Sequence, residues 1–351
     1  MSMSQSRLIK PAKLVIIAAM ATLAVAVAGC GSSGSSAATT SGQSLKPVSI
    51  ALDWTPNADN EGVFAAQHLG YFKAAGLHVT IVPYGQTAPD TLVASGRTDF
   101  AITATEGDAL ADFAQGMPVT SVMAVLERDP TVLVYAASTK GATSPAYFCG
   151  KINGGPGDPS EYAEVQTMLD TAAGHRCSYK NLVLGTAASQ AIAAKRIDFS
   201  ILFFSDVIEA KAQGINLATF SPQNYGMPQN YGPLVLGNNS FLKSNPAAAK
   251  AFIGALAKGY AYIAKNPVKG AQILYEMNPS AVNKNAAITE TVAEAKSYLL
   301  DPQGRIGYQS TTTWQTYSHW MIQHRLLKNS SGQPVSSLNV IHHFTNQYVT
   351  G

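Results

Sequence analysis

The sequence predicts an α/β protein of two domains, in which the chain leaves the first domain to build the second and then returns. Three observations carry this. The 351 residues exceed one ordinary core and suit two domains of roughly 100–200 residues. Short alternating or β-branched apolar runs recur with helical segments between them, the pattern of a parallel sheet with crossover helices. Leu234-Val235-Leu236 reads as a strand coming back to the first domain.

In the first domain, Val48, Ile50 and Leu52 alternate with Ser49 and Ala51 as a short strand does. Asp53-Trp54-Thr55-Pro56-Asn57 breaks it, and a helix follows near Gly62–Leu69, stopped by Gly70. Tyr71–Ala75 makes a short turn ended by Gly76, and His78–Val82 alternates again. Ala88–Ser95 reads as helix and Phe100–Ile102 as strand. Thr131–Ala136 is a strongly β-branched and aromatic run.

Lys151–Asn153, Leu182–Gly185 and Phe199–Phe203 are the expected strands of a second sheet. Glu161–Ala173, Ala187–Lys195 and Val207–Gln213 are its expected helices. After the return strand, Asn245-Pro246 opens a helix with Phe252, Leu256 and Tyr260 on one face, and Asn266-Pro267 closes it. Beyond that the chain reads as helical to about Leu327, and no internal repeat is visible. The expected domains are 46–137 plus 235–351, and 138–234.

The N-terminus reads as an address. Arg7, Lys10 and Lys13 precede an apolar run from Leu14 to Ala28 broken only by Thr22. As a helix the run would span about 22 Å, short of the ~30 Å hydrocarbon core, so residues 1–29 read as a signal peptide. Val27-Ala28-Gly29-Cys30 resembles a bacterial lipobox, which makes Cys30 the expected lipidation site; a plain secretory leader is the alternative. Residues 30–45 are Gly-, Ser- and Thr-rich and read as a flexible tether. The expected location is therefore outside the cell, lipid-anchored at the outer face of the cytoplasmic membrane. In an oxidising compartment the remaining cysteines, Cys149 and Cys177, read as a disulfide, with two free thiols the alternative.

Charge narrows the partners. The chain has 24 Lys and Arg against 21 Asp and Glu, and without the three basic leader residues the balance is 21 to 21. Nothing basic remains to hold nucleic acid or an anionic membrane surface. Charged residues make up 13% of the chain, about half the usual ~25%, which argues against disorder.

Four loops fall at strand ends, where ligands bind in such sheets. In the first, Asp53, Trp54, Asn57 and Asn60 could stack on and hydrogen-bond a planar ligand, or pack the core and cap the next helix. In the second, Thr103, Thr105 and Glu106 are ligand candidates or a helix cap. In the third, Gly155, Gly157 and Ser160 precede a helix and leave backbone N–H groups free to face a ligand; a tight turn is the alternative. The fourth carries Phe203 and Ser205, with Phe203 either stacking on a ring or filling the core.

Catalytic and metal signals are poor. G-x-S-x-G and H-E-x-x-H are missing, and the Gly154–Glu161 loop has neither the Walker ending nor the G-x-G-x-x-G pattern. His342 and His343 are adjacent and share no face of a helix or strand. No catalytic residue, metal or cofactor is expected.

Taken together, several stretches resemble a known family. Leu52-Asp53-Trp54-Thr55-Pro56-Asn57 with Gly62 and Gly70-Tyr71-Phe72 is similar to the opening of ABC-transporter receptors for the pyrimidine precursor of thiamine, within the nitrate/sulfonate/taurine-binding group. Val93–Phe100, Gln115–Val119, the Gly154–Glu161 loop, Tyr231-Gly232-Pro233, Gly307-Tyr308, Trp314, Trp320 and Phe344–Gln347 resemble later elements of that group. The resemblance implies a type II periplasmic-binding fold with a hinged cleft. It implies a monomeric receptor that hands a small planar solute to a permease and its ATPase, with no enzyme chemistry. Asp53, Trp54 and Asn57 would face the ligand from one lobe, Gly155, Gly157 and Ser160 from the other, and Tyr231 would lie at the return crossover.

The sequence departs from the family in places. Asn60 stands where the family often has His, Pro156 replaces an aromatic, and Phe203 and Ser205 fall where Glu and Trp are common. A eukaryotic relative makes thiamine pyrimidine by consuming its own active-site His; Asn60 occupies that place here, and of its cysteine cluster only Cys149 is left. A thiamine-pyrimidine synthase, or a receptor for a flavin or a sulfonate, are the alternative readings. Phe203 cannot offer the acceptor that an aminopyrimidine's N–H groups need.

Overall fold

Residues 44–185 and 187–349 are described by the structure, a computed structural model. The leader, Cys30 and most of the Gly/Ser segment lie outside these residues.

The chain opens with β1 (Lys46–Ala51), α1 (Glu61–His68), α2 (Tyr71–Ala74), β2 (Leu77–Val82), α3 (Pro89–Ala94), β3 (Phe100–Thr103), α4 (Glu106–Gln115) and β4 (Val119–Ala124). It crosses into β5 (Thr131–Ala136), β6 (Ile152–Gly155), α5 (Pro159–Ala173), β7 (Lys180–Val183), α6 (Ala188–Ala193), β8 (Phe199–Phe203), α7 (Phe204–Ala212) and β9 (Leu217–Phe220). It returns through β10 (Leu234–Asn238) to α8 (Asn239–Ser244), α9 (Pro246–Lys265), α10 (Pro267–Met277), α11 (Lys284–Ser297) and α12 (Thr311–Gln323).

Two five-stranded sheets result, ordered β2-β1-β3-β10-β4 and β7-β6-β8-β5-β9. They share one topology. Each has a parallel β-α-β core to which one strand arriving from the other lobe adds antiparallel: β10 on β3 and β4, β5 on β8 and β9. This corrects the expected place of Thr131–Ala136, which belongs to the second sheet and not to the end of the first domain. A β-branched, aromatic run announces a strand, but only its long-range partners decide the sheet. The common topology is a repeat of architecture that no residue pattern betrays.

The helical reading beyond Pro267 also needs correction. The chain there is three helices with breaks after Met277 and Ser297. At the first, the chain turns at Asn278, whose N–H reaches back to Leu274 and Tyr275, and Asn283 then caps α11. The strands β4 and β9 and helix α8 were not anticipated.

Packing in the first lobe centres on α9. Phe252 stacks on Phe100 at 4.3 Å and on Phe72 at 5.3 Å between ring centres. Helix α1 crosses α9 so closely that a β-carbon on Gly62 would meet the Tyr260 ring at 2.5 Å. The Tyr260 hydroxyl donates to the Asp59 carbonyl at 2.8 Å, which fixes the loop after β1. Gly62 is thus a packing glycine.

The two crossing segments run side by side. Val125 N–H donates to Pro233 O at 2.8 Å, Gly232 N–H to Leu126 O at 3.2 Å, and Asp129 N–H to Asn230 O at 2.9 Å. Two extended segments paired through their backbones, with no helix in either, are the link between the lobes, the arrangement of a hinge. In the second lobe Cys149 and Cys177 are joined by a disulfide, with Cα atoms 5.3 Å apart.

Candidate functional site

All four anticipated loops sit at strand exits and open toward the cleft between the lobes. One cleft cavity, about 350 Å³, is walled by Thr105, Gly107, Asp108 and Ala111 of the first lobe and by Asp129 and Thr131 at the entry to β5. Tyr317, Trp320 and Met321 of α12, which packs beside α4, complete that side, and opposite stand Pro156, Asp158, Ser160, Glu161 and Glu164 with Ile201–Phe203 from β8. Five carboxylates line it, and among the described residues no Lys, Arg or His does.

Local chemistry explains how each wall is set. The Thr105 hydroxyl accepts the Asp108 N–H at 3.1 Å and donates to the Asp108 carboxylate at 2.8 Å, capping α4. Asp158 caps α5 in the same way, taking the Ser160 N–H at 2.7 Å and its hydroxyl at 2.8 Å. Ser160 therefore borders the cavity with its hydroxyl already engaged.

Glu161, only 8% exposed, follows Pro159 into the first turn of α5, and its carboxylate lies over Gly155. The Asn153 amide donates to its Oε1 at 2.9 Å, while Oε2 has no protein partner. Burial raises this carboxyl above its ordinary pKa, and the Asn153 bond opposes the rise. One turn on, Glu164 is pushed up to about 8 by burial, with the charges of Asp129 and Glu161 adding to it. Asp129, also raised by burial, holds the Thr131 N–H at 2.8 Å and the Asn230 amide at 2.6 Å. The indole N–H of Trp320, a residue 7% exposed, has no protein acceptor. Its ring stacks on Tyr317 at 5.7 Å.

A second hollow of about 150 Å³ brings Trp54, Thr55 and Asn57 against Ser205, Asp206 and Glu209 of the second lobe. Trp54 is half exposed and leans on Tyr84 with ring centres 4.7 Å apart, so it is not a core residue. Asn57 and Asn60 bond each other's backbone N–H groups at 3.1 and 3.3 Å. The Asn60 amide reaches Asp53 at 3.4 Å. Burial lifts Asp53 to about 6. A third cavity of about 380 Å³ lies on the second lobe behind Phe203, with Gly155, Ser189 and Asp206 in its wall.

Several anticipated ligand residues are placed elsewhere. Asn60, Thr103, Glu106 and Tyr231 are buried and do not line the cleft cavity. Glu106 accepts the Tyr231 N–H at 2.8 Å, and the Tyr231 hydroxyl accepts the Ser310 N–H, so these side chains lock the return crossover to α4 and α12. Gly157 serves a turn at φ +88°. Glu164, Asp129, Tyr317 and Trp320 were missed. Glu161 and Glu164, three apart at the start of a helix behind a glycine loop, were the readable signal for one wall; Tyr317 and Trp320, three apart on α12, were the signal for another. Among the described residues no group of His, Cys, Asp and Glu is arranged to hold a metal ion.

Two lobes of equal topology, two antiparallel crossover strands and a cleft at the strand exits define the periplasmic-binding-protein fold. The aliphatic sulphonate binding protein of Escherichia coli superposes with a TM-score of 0.65 at 12% identity, covering 87% of this chain and 94% of that one. A family model described as NMT1/THI5 like matches residues 57–270, and the chain belongs to that family. The formylaminopyrimidine-binding protein of Halalkalibacterium halodurans is 28% identical over 300 residues, 84% of this chain and 88% of that protein. A 4-amino-5-hydroxymethyl-2-methylpyrimidine phosphate synthase of Saccharomyces cerevisiae is 26% identical over 263 residues, 68% of this chain and 74% of the enzyme.

Proposed function

We propose that this protein is the solute receptor of an ABC importer and that it binds a small planar heterocycle of the aminopyrimidine class between its lobes. One observation carries the reading: carboxylates and aromatic side chains line the cleft together, so it offers acceptors to ring and exocyclic N–H groups and apolar contact to the ring. Phe203 stands where an acceptor was looked for, but Glu161, Glu164 and Asp129 supply several from neighbouring positions. The likeness to a formylaminopyrimidine-binding protein supports the same class. Ligand bridging the lobes favours the closed form, and the closed form engages the permease and its ATPase. The leader, Cys30 and the tether support export and lipid anchoring of a monomer outside the cytoplasmic membrane.

The synthase-like relatives raise the enzyme reading, which Asn60 disfavours. It is buried and holds Asp53, and it has no imidazole ring to give up to a product. A thermal-shift panel of aminopyrimidines, flavins and sulfonates tests the proposal. An aminopyrimidine at 100 times its Kd stabilises the chain by about 2.7 kcal/mol; a shift with sulfonates or flavins alone overturns the ligand class.

A further inference from the structure

We infer that the cleft takes its ligand as a cation: an aromatic heterocycle bearing a positive charge, from ring protonation or a quaternary nitrogen. The inference rests on the receptor reading above and adds the charge of the solute. The cavity collects Asp108, Asp129, Asp158, Glu161 and Glu164 from three separate segments, with no basic side chain among the described lining residues. Asp108 on α4 and Asp158 before α5 stand on opposite walls of the cavity, so a neutral occupant leaves two acids facing across the cleft.

Two buried, unpartnered polar groups point to an occupant. Glu161 Oε2 is shielded from solvent with no donor in reach, and a cationic N–H or ring edge completes it. The Trp320 indole N–H asks the same occupant for one acceptor, such as a ring nitrogen. Phe203, Tyr317 and Trp320 line the same space, and aromatic rings attract a positive charge held near them. Acceptors alone would suit any N–H-bearing ring; acceptors, aromatic faces and the lack of a counter-cation together select a positive one.

The test compares thiamine, which joins an aminopyrimidine to a quaternary thiazolium ring, with its neutral half, 4-amino-5-hydroxymethyl-2-methylpyrimidine, by calorimetric titration of the mature chain. Thiamine is expected to bind at least tenfold tighter. Above pH 8, where Glu164 is ionised, Glu164→Gln is expected to weaken thiamine at least tenfold and the neutral half less than threefold. Glu161→Gln serves as a parallel variant, should Glu164→Gln fail to fold. Equal or tighter binding of the neutral half, or an unchanged ratio in both folded variants, overturns the charge inference and leaves the receptor reading standing. Binding of neither compound overturns both.

Discussion

The carboxylate of Glu161 occupies the space over Gly155 that any side chain at that position would fill. A glycine at the end of β6 thus serves the site by letting a helix-borne acid fold back over the strand. Gly155→Ala forces Glu161 out or strains the β6–α5 turn. Overpacking of this kind costs about 1–3 kcal/mol of stability, readable as a lower denaturant midpoint. It should also weaken the cleft ligand at least tenfold, because the acceptor moves. Unchanged affinity in the folded variant would show that Glu161 does not touch the ligand.

Trp54 is exposed and rests on Tyr84 at the rim of the first lobe. Trp54→Ala should leave stability within about 0.5 kcal/mol, as for an ordinary surface change. Affinity should fall by about 0.5–1.5 kcal/mol if the indole stacks on the ligand in the closed form. A marked fall in stability with unchanged affinity would assign the indole to packing.

The Cys149–Cys177 bond spans a sequence separation of 28 residues. Loop-closure entropy for that length stabilises the fold by about 3–4 kcal/mol. Non-reducing mass spectrometry of the exported protein should find the bond, and reduction should lower the unfolding midpoint accordingly. Two alkylatable thiols in the mature chain would contradict this.

Much of the site was legible in the sequence because its parts are local. Trp54 and Asn57 follow a strand directly, Thr105 and Asp158 are helix caps, and Gly155 precedes Pro159 by one turn. What sequence could not show depends on contacts across the chain. Glu106 looked like a ligand residue from its place after β3, yet the backbone of Tyr231, 125 residues away, takes its carboxylate. Tyr317 and Trp320 reach the cleft only because α12 packs beside α4. The side of β5 was hidden for the same reason.

Acidic groups buried outside the 350 Å³ cavity set a pH signature. Burial raises Asp59 and Glu127 to about 8 and Glu290 to about 7, with neighbouring acids adding to each. Glu294, beside Asp59, is also raised well above its ordinary value, by burial and by Asp59. The folded state then binds more protons than the unfolded chain, whose carboxyls titrate near pH 4. Stability is full below that range and declines as pH rises toward 8, by about 1.4 kcal/mol for each pH unit over which one such group stays protonated only in the fold. Thermal unfolding of the ligand-free protein should thus show a higher Tm at pH 5 than at pH 8, and Asp59→Asn should flatten the slope. A Tm that rises with pH would refute this.

The most direct test of a receptor is whether its ligand leaves as it came. The mature protein is incubated with the aminopyrimidine that shifts its Tm most, freed of unbound compound, denatured, and its bound fraction weighed by mass spectrometry. One unaltered molecule per chain, with no product in the medium, is the outcome expected of a solute carrier. Recovery of a converted or phosphorylated pyrimidine, or of a chain that has lost mass to its product, would contradict it.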